Sequence, residues 1–301
     1  MRTRRTIAAA LSVLALTAVA ACGKDGSPST GSDAAAPKLP TYSVNTAAKL
    51  DGSPAWTAAK KRGKLIIGAK SDQPFLGFED VSTNTRNGFD IEIAKMVAAD
   101  LGFSPDQIEF KTIVSANRET EIGHNNIDYY VGTYSINAKR KNEVSFAGPY
   151  YIAGQDLLVR KDDTSIKGPE TAVGKNVCTV TGSTSVDQIE KYIGKGKAIH
   201  YDNYAQCVDR LLTGELDAVT TDDAILKGFA AKNAGKLKVI GKPFSTEKYG
   251  VGLAKDDAVL RKAIDDALKA HEDNGDWKKA YDATLGLSGS AAPAVPALER
   301  Y

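Results

Sequence analysis

The chain predicts an α/β fold with parallel-type sheets, on three observations. Short β-branched runs alternate with amphipathic stretches of helical length from Gly63 onward, an order that leads to parallel strands joined by crossover helices. No internal repeat or low-complexity segment interrupts that alternation. About 250 residues remain once an N-terminal leader and a polar segment are set aside, enough for one large domain or for two lobes with cores of their own.

Taken in order, "KLIIGAK" reads as a strand and "FDIEIAKMVAADLG" as a helix with Asp90 as its N-cap. Within that helix Ile91, Ala94, Val97 and Leu101 recur at helical spacing, and Gly102 suits the stop. "QIEFKTIV" reads as a strand, "ANRETEIG" as a short helix and "IDYYVGT" as a strand. The alternation then resumes, with strands at "KNVCTV", "KAIHY", "LDAVT" and "KLKVI" and helices at "SVDQIEKYI", "YAQCVDRLLTG" and "DDAILKGFAAKN". Two closing helices turn at Asn274-Gly275, and the Ser/Ala/Pro tail over 288–301 is expected to be disordered.

Ahead of this body, Arg2, Arg4 and Arg5 precede an apolar run from Ile7 to Ala20. That is the layout of a secretory signal, too short and too poorly flanked for a membrane span. Val19-Ala20-Ala21-Cys22 resembles a bacterial lipobox, which implies a signal peptide over 1–21 and a lipidated Cys22 as the first mature residue. The alternative is an ordinary signal with an incidental cysteine. The segment that follows is rich in Gly, Ser, Pro, Asp and Ala, and residues 22–52 are expected to form a flexible tether.

Composition excludes several classes. The chain has 42% hydrophobic residues and a formal net charge of +2, and loss of the arginine-bearing leader leaves the body near neutral. No basic stripe interleaved with aromatics points to nucleic acid. Cys178 and Cys207 remain in a chain bound for an oxidising compartment, so a disulfide is the economical expectation; two separately buried thiols are the alternative. The three histidines, His124, His200 and His271, lie in unrelated contexts. With no HExxH, CxxC, P-loop or GxSxG, neither enzyme, metal nor cofactor is expected. "YGVGLAK" lacks the third glycine of a dinucleotide fingerprint.

Ligands of open α/β sheets bind beyond the carboxyl ends of strands. Lys70 follows the first strand, Ser115 and Arg118 the second, and Thr133 and Ser135 the third, with Arg140 one turn on. In the second half, Thr181, Ser183 and Thr184 follow "VCTV", and Asp222 and Asp223 follow "DAVT". Cations, one or two anions and several hydroxyls thus converge, as a zwitterion requires.

The segments "GFDIEIAKMVAADLG", "VGTYSINAKRKNEVSFAGPYY", "VTGSTS", "LLTGELDAVTTDDAIL" and "NGDWKKAYDATLG" resemble the polar amino-acid solute-binding proteins of ABC importers, family three, most of all the glutamate- and aspartate-binding branch. The likeness runs from about Gly63 to Gly286. It implies a two-lobed periplasmic-binding-protein type II fold that closes on its ligand, with crossings near "YYIAGQD" and "TEKYGVG". Lobe 1 would take residues 53–150 and 250–287, and lobe 2 residues 151–249 with the hinge strands. By the same resemblance Arg140 pairs with a ligand α-carboxylate, a task suited to a planar guanidinium. Thr133, Ser135, Ser183 and Thr184 add donors, and Asp222 accepts from the α-ammonium. Asp223 is expected to be a helix cap or a surface charge.

With Arg140 and Asp222 matched to the zwitterion, Lys70 and Arg118 remain as positive charge for an acidic side chain. A glutamine would strand them at several kcal/mol per uncompensated ion. The loop "SDQPFLGF" is a residue shorter than in comparable relatives, which leaves the reach of Lys70 and the roles of Asp72 and Phe75 open. The expectation is therefore a monomeric, lipid-anchored, extracytoplasmic receptor for L-glutamate that serves an ABC permease and touches the membrane through its anchor alone. Aspartate, glutamine or another polar amino acid, a sensor as partner, and a prephenate- or arogenate-type dehydratase on the same fold are the alternatives.

Overall fold

The structure is a computed structural model that describes residues 38–300; the leader and Cys22 lie outside the described residues. The chain begins in the first lobe with α1 (Pro54–Arg62), β1 (Leu65–Ala69), β2 (Asp72–Gln73), β3 (Gly77–Asp80) and β4 (Thr85–Asn87). It continues through α2 (Phe89–Asp100), β5 (Ile108–Thr112), α3 (Arg118–Gly123), β6 (Tyr129–Val131), α4 (Ala138–Lys141) and β7 (Ser145–Ala153). The second lobe holds β8 (Gln155–Arg160), β9 (Val177–Val180), α5 (Thr184–Ile193), β10 (Ile199–Tyr201), α6 (Tyr204–Thr213), β11 (Ala218–Asp222), α7 (Asp223–Lys232) and β12 (Leu237–Val239). The return is β13 (Glu247–Leu253), α8 (Ala258–Asp273) and α9 (Asp276–Ala283).

Two five-stranded sheets result, ordered β5-β1-β6-β13-β7 and β10-β9-β11-β8-β12. The pairs β1–β5, β1–β6, β9–β10 and β9–β11 are parallel, as crossover helices demand. In each sheet one strand next to a crossing runs the other way: β13 against β6, and β8 against β11. A strand that arrives from the opposite lobe enters the sheet from its far end, which reverses its direction. The change of lobe falls at Gly154, where an added Cβ would lie 2.7 Å from the Ser245 carbonyl oxygen. The two crossings touch there, with Phe244 N donating to Gln155 O at 2.8 Å.

The core of the first lobe is aromatic. The Phe89 ring meets Trp277 edge-on at 5.3 Å, and Trp277 stacks on Tyr281 at 5.6 Å, arrangements that suit the ring quadrupoles. In the second lobe the Cys178–Cys207 disulfide, with Cα atoms 5.8 Å apart, staples β9 to α6.

Three expectations are corrected. Asp90 is not the N-cap of α2: that position is Gly88, at φ +120°, where a Cβ would lie 2.1 Å from the Leu76 carbonyl oxygen. Asp90 lies two residues further in, within the first turn, and is fully buried. Residues 38–52 are not tether. Tyr42 donates to Glu92 at 3.0 Å, Asn45 N to Ala99 O at 2.9 Å, and Leu50 is buried in the core. Nor is the stretch 288–300 loose, since Glu299 N donates to Gly148 O at 2.7 Å and Tyr281 donates to Ala291 O at 3.0 Å. Composition records how little apolar surface such segments own, not the groups that an already folded lobe offers them.

Two elements add to the sequence reading. The local signals of α1 are a Ser53 cap, Pro54 in the first turn and a left-handed Gly63 at the stop. The small β2-β3-β4 sheet occupies the "SDQPFLGF" region and the residues after it.

Candidate functional site

A small cavity of about 10 Å³ lies between the two sheets, at their strand ends. Ser115, Arg118, Thr133, Ser135 and Arg140 line it from the first lobe, and Ser183, Thr184 and Asp222 from the second. Ser185, Tyr204, Thr221 and Ile225 complete the wall. Lys70 stands one layer behind, 5% exposed, donating from Nζ to Ser115 Oγ at 2.7 Å. Each position follows from the topology: β1 delivers Lys70, β5 the Ser115–Arg118 turn, β6 Thr133, β9 Ser183 and β11 Asp222. Parallel strands end on the same side of a sheet, so the polar residues that follow them meet there.

Both arginines reach across the cleft to a single atom. Arg118 Nη2 and Arg140 Nη2 each donate to the Gly182 carbonyl oxygen at 3.0 Å. Arg118 Nε also donates to Ser115 O at 3.0 Å, and Arg140 Nη1 to Ser135 O at 2.7 Å. The two guanidiniums lie 4.4 and 4.9 Å from the centroid of the Tyr134 ring, at cation–π distance. A guanidinium has five N–H donors, so each keeps some for a ligand. Gly182 sits at φ +78°, and a Cβ on it would come within 2.7 Å of the Ala116 Cα atom. Only glycine lets the second lobe approach this closely.

Burial and charge set the electrostatics. Burial pushes the Lys70 ammonium down to about 7, helped by Arg118 and Arg140 and opposed by Asp72 and Asp90. Burial, then Arg118, also lowers the Arg140 guanidinium to about 10. On the other side burial raises the Asp222 carboxyl to about 8, with Glu247 adding repulsion and the Tyr249 hydroxyl opposing. Asp222 Oδ2 accepts from Tyr249 at 2.7 Å, whereas Oδ1 is buried with no hydrogen-bond partner among the described residues. The cavity therefore presents one unpartnered Asp222 oxygen facing a surplus of basic side chains. Arg140 has Glu119 at 3.3 Å, while among the described residues no ion pair within 4.0 Å reaches Lys70 or Arg118.

Several side chains do other work than their strand-end position suggests. Thr133, at φ +46°, spends its amide on Asp90 Oδ2 at 3.0 Å and its hydroxyl on Gln73 at 3.2 Å. Thr184 gives its hydroxyl to Glu247 at 3.0 Å. Asp223 is neither cap nor free surface charge: Asp222 holds the N-cap position of α7, and Asp223 accepts from the Gly154 amide at 3.1 Å and pairs with Lys227.

Asp90 was missed as a site support. Burial raises its carboxyl to about 6, and it accepts from Tyr150 at 2.8 Å as well as from Thr133. Tyr134, Tyr204 and Tyr249 were also missed, because an aromatic residue near a strand reads as core. Tyr249 lies in the quoted "TEKYGVG" crossing, but nothing local points its hydroxyl at Asp222, 27 residues away in sequence.

Comparison with known proteins gives a consistent set. The family described as bacterial extracellular solute-binding proteins, family 3, matches residues 65–286. Glutamate-binding protein GluB of Corynebacterium glutamicum is 35% identical over 245 residues, 78% of this chain and 83% of that protein. The ABC transporter glutamine-binding protein GlnH of Bacillus subtilis is 34% identical over 273 residues, 91% of this chain and 94% of its own length. Among solved structures, an ancestral arginine-binding protein bound to glutamine superposes with a TM-score of 0.70 at 33% identity, covering 75% of this chain and 99% of that one.

Proposed function

Since the chain belongs to the bacterial extracellular solute-binding proteins of family 3, we propose that it captures L-glutamate between its lobes and hands it to an ABC permease. Asp222 Oδ1 takes the α-ammonium, and Arg140, with Ser135 and Ser183 beside it, takes the α-carboxylate. Lys70 and Arg118 receive the γ-carboxylate, with Ser115 between them. Ligand held by both lobes shifts the population toward the closed form. Cys22, acylated, keeps the receptor near its permease on the outer face of the membrane, because multiple acyl chains anchor where one does not.

The observation that carries glutamate over glutamine is the unpaired charge of Lys70 and Arg118 at the buried end of the site. A carboxylate neutralises it, whereas an amide leaves each cation desolvated at a cost of several kcal/mol. Calorimetric titration of refolded, solute-free protein lacking the residues before Lys24 tests the reading. Glutamate is expected to bind tightly, with glutamine much weaker. Glutamine equal to or tighter than glutamate would overturn the choice of ligand, and no binding of any amino acid would overturn the receptor reading itself.

A further inference from the structure

A second contact joins the lobes at the edge of the cavity, through Asp72 and Gly228, which do not line it. Asp72, at the start of β2, places Oδ2 2.7 Å from the Tyr204 amide and 3.2 Å from the Ala205 amide, the first two N–H groups of α6 in the other lobe. Asn203 accepts from Gln206 N at 3.1 Å, so the first turn of α6 is fully capped only with a carboxylate supplied by the opposite lobe. Beside it the next residues of the same loop press on α7. A methyl on Gly228 would lie 2.4 Å from the Pro74 carbonyl oxygen and 3.7 Å from the Phe75 ring. Gly228 has ordinary helical backbone, a place where alanine is intrinsically better than glycine. The helix gains nothing from glycine there. The approach of Pro74 does.

We propose that Asp72 and Gly228 are positioning residues that form a closure seat, a contact outside the ligand cavity that is made only when the lobes meet. The inference rests on the reading that the lobes close on an amino acid. Because apparent affinity scales with the fraction of protein in the binding-competent state, this seat tightens binding without touching the ligand. It also links closure to the cation beneath the ligand side chain, since Asp72 is two residues from Lys70 and its charge favours the ammonium form.

The test uses the full chain, freed of bound solute by unfolding and refolding, with an equimolar mixture of the twenty standard L-amino acids as probe. Gly228→Ala is expected to bind at least tenfold more weakly, through faster dissociation with little change in association. The melting temperature of its ligand-free form should be unchanged or higher. Gly123→Ala, whose methyl meets nothing within 4 Å, is expected to match the wild type. Asp72→Ala provides the second arm and should likewise dissociate faster, again with no fall in ligand-free melting temperature. If the wild type binds and both variants dissociate at its rate, the seat is overturned alone. A weakened variant whose ligand-free melting temperature also drops refutes a closure-specific role for that residue. A wild type that binds none of the twenty overturns the receptor reading and the seat with it.

Discussion

Replacing Lys70 by methionine removes the buried ammonium while keeping much of its bulk. A hydrogen bond to a charged group contributes about 1.5 to 3 kcal/mol, so glutamate binding should weaken on the order of 10- to 150-fold. Glutamine, which gains nothing from the ammonium, should be unchanged or improved. A second signature lies in protons. In the closed, empty site burial pushes the Asp222 carboxyl up to about 8 and the Lys70 ammonium down to about 7, so near neutral pH Asp222 tends to hold its proton and Lys70 to give one up. The ligand ammonium ionises Asp222, which releases protons, and the γ-carboxylate completes the charging of Lys70, which takes them up. Lys70→Met, which loses that uptake, should therefore release more protons on binding glutamate than the wild type. Calorimetry in buffers of different ionisation enthalpy reads both the affinity ratio and the proton count. An unchanged glutamate-to-glutamine ratio with unchanged proton release would refute the assignment of Lys70 to the ligand side chain.

Other expectations follow from the same geometry. The Asp222 carboxyl is raised from 3.8 to about 8 in the folded state, so its contribution to stability is complete below pH 4 and is lost as pH rises through 8. Ligand-free Asp222→Asn should accordingly melt above the wild type at pH 9, with the gap closing toward pH 4, while amino-acid binding is lost at every pH; a constant gap would argue against burial as the cause. The disulfide spans a sequence separation of 29, and the chain-entropy model assigns such a loop about 3 to 4 kcal/mol. Replacing Cys178 and Cys207 by serine should lower the denaturation free energy by that order, and urea unfolding with no change would contradict it. Cys22→Ala should move the protein from the membrane fraction to the soluble fraction with ligand affinity intact; unchanged fractionation would remove the anchor.

Most of the candidate site was legible because its residues sit at strand ends, where α/β architecture collects polar side chains whatever the loops do. Ser115, Arg118, Ser135, Ser183 and Asp222 all line the cavity. What their neighbours would take from them was not legible. Thr133 and Thr184 occupy the expected places, yet their hydroxyls are engaged by Gln73 and Glu247, 60 and 63 residues away in sequence. Asp90 fits a cap motif locally, but the Leu76 carbonyl claims the space at Gly88, and burial turns the aspartate into a brace for Thr133.

By itself the sequence determined the order of most helices and strands, the α/β class with parallel sheets and the identities of the residues that gather at the sheet ends, whereas α1 and the β2-β3-β4 sheet emerged from the structure. Hydrophobic period, capping residues and turn glycines act within a few positions of one another, so those features are written locally. Only the tertiary structure decided which groups spend their hydrogen bonds on each other. The shared Gly182 carbonyl between Arg118 and Arg140, the lone Oδ1 of Asp222, and the Asp72 carboxylate on an amide 132 residues away all depend on how closely two lobes approach. That distance is fixed by the packing of separate sheets around a hinge, and no local pattern encodes it.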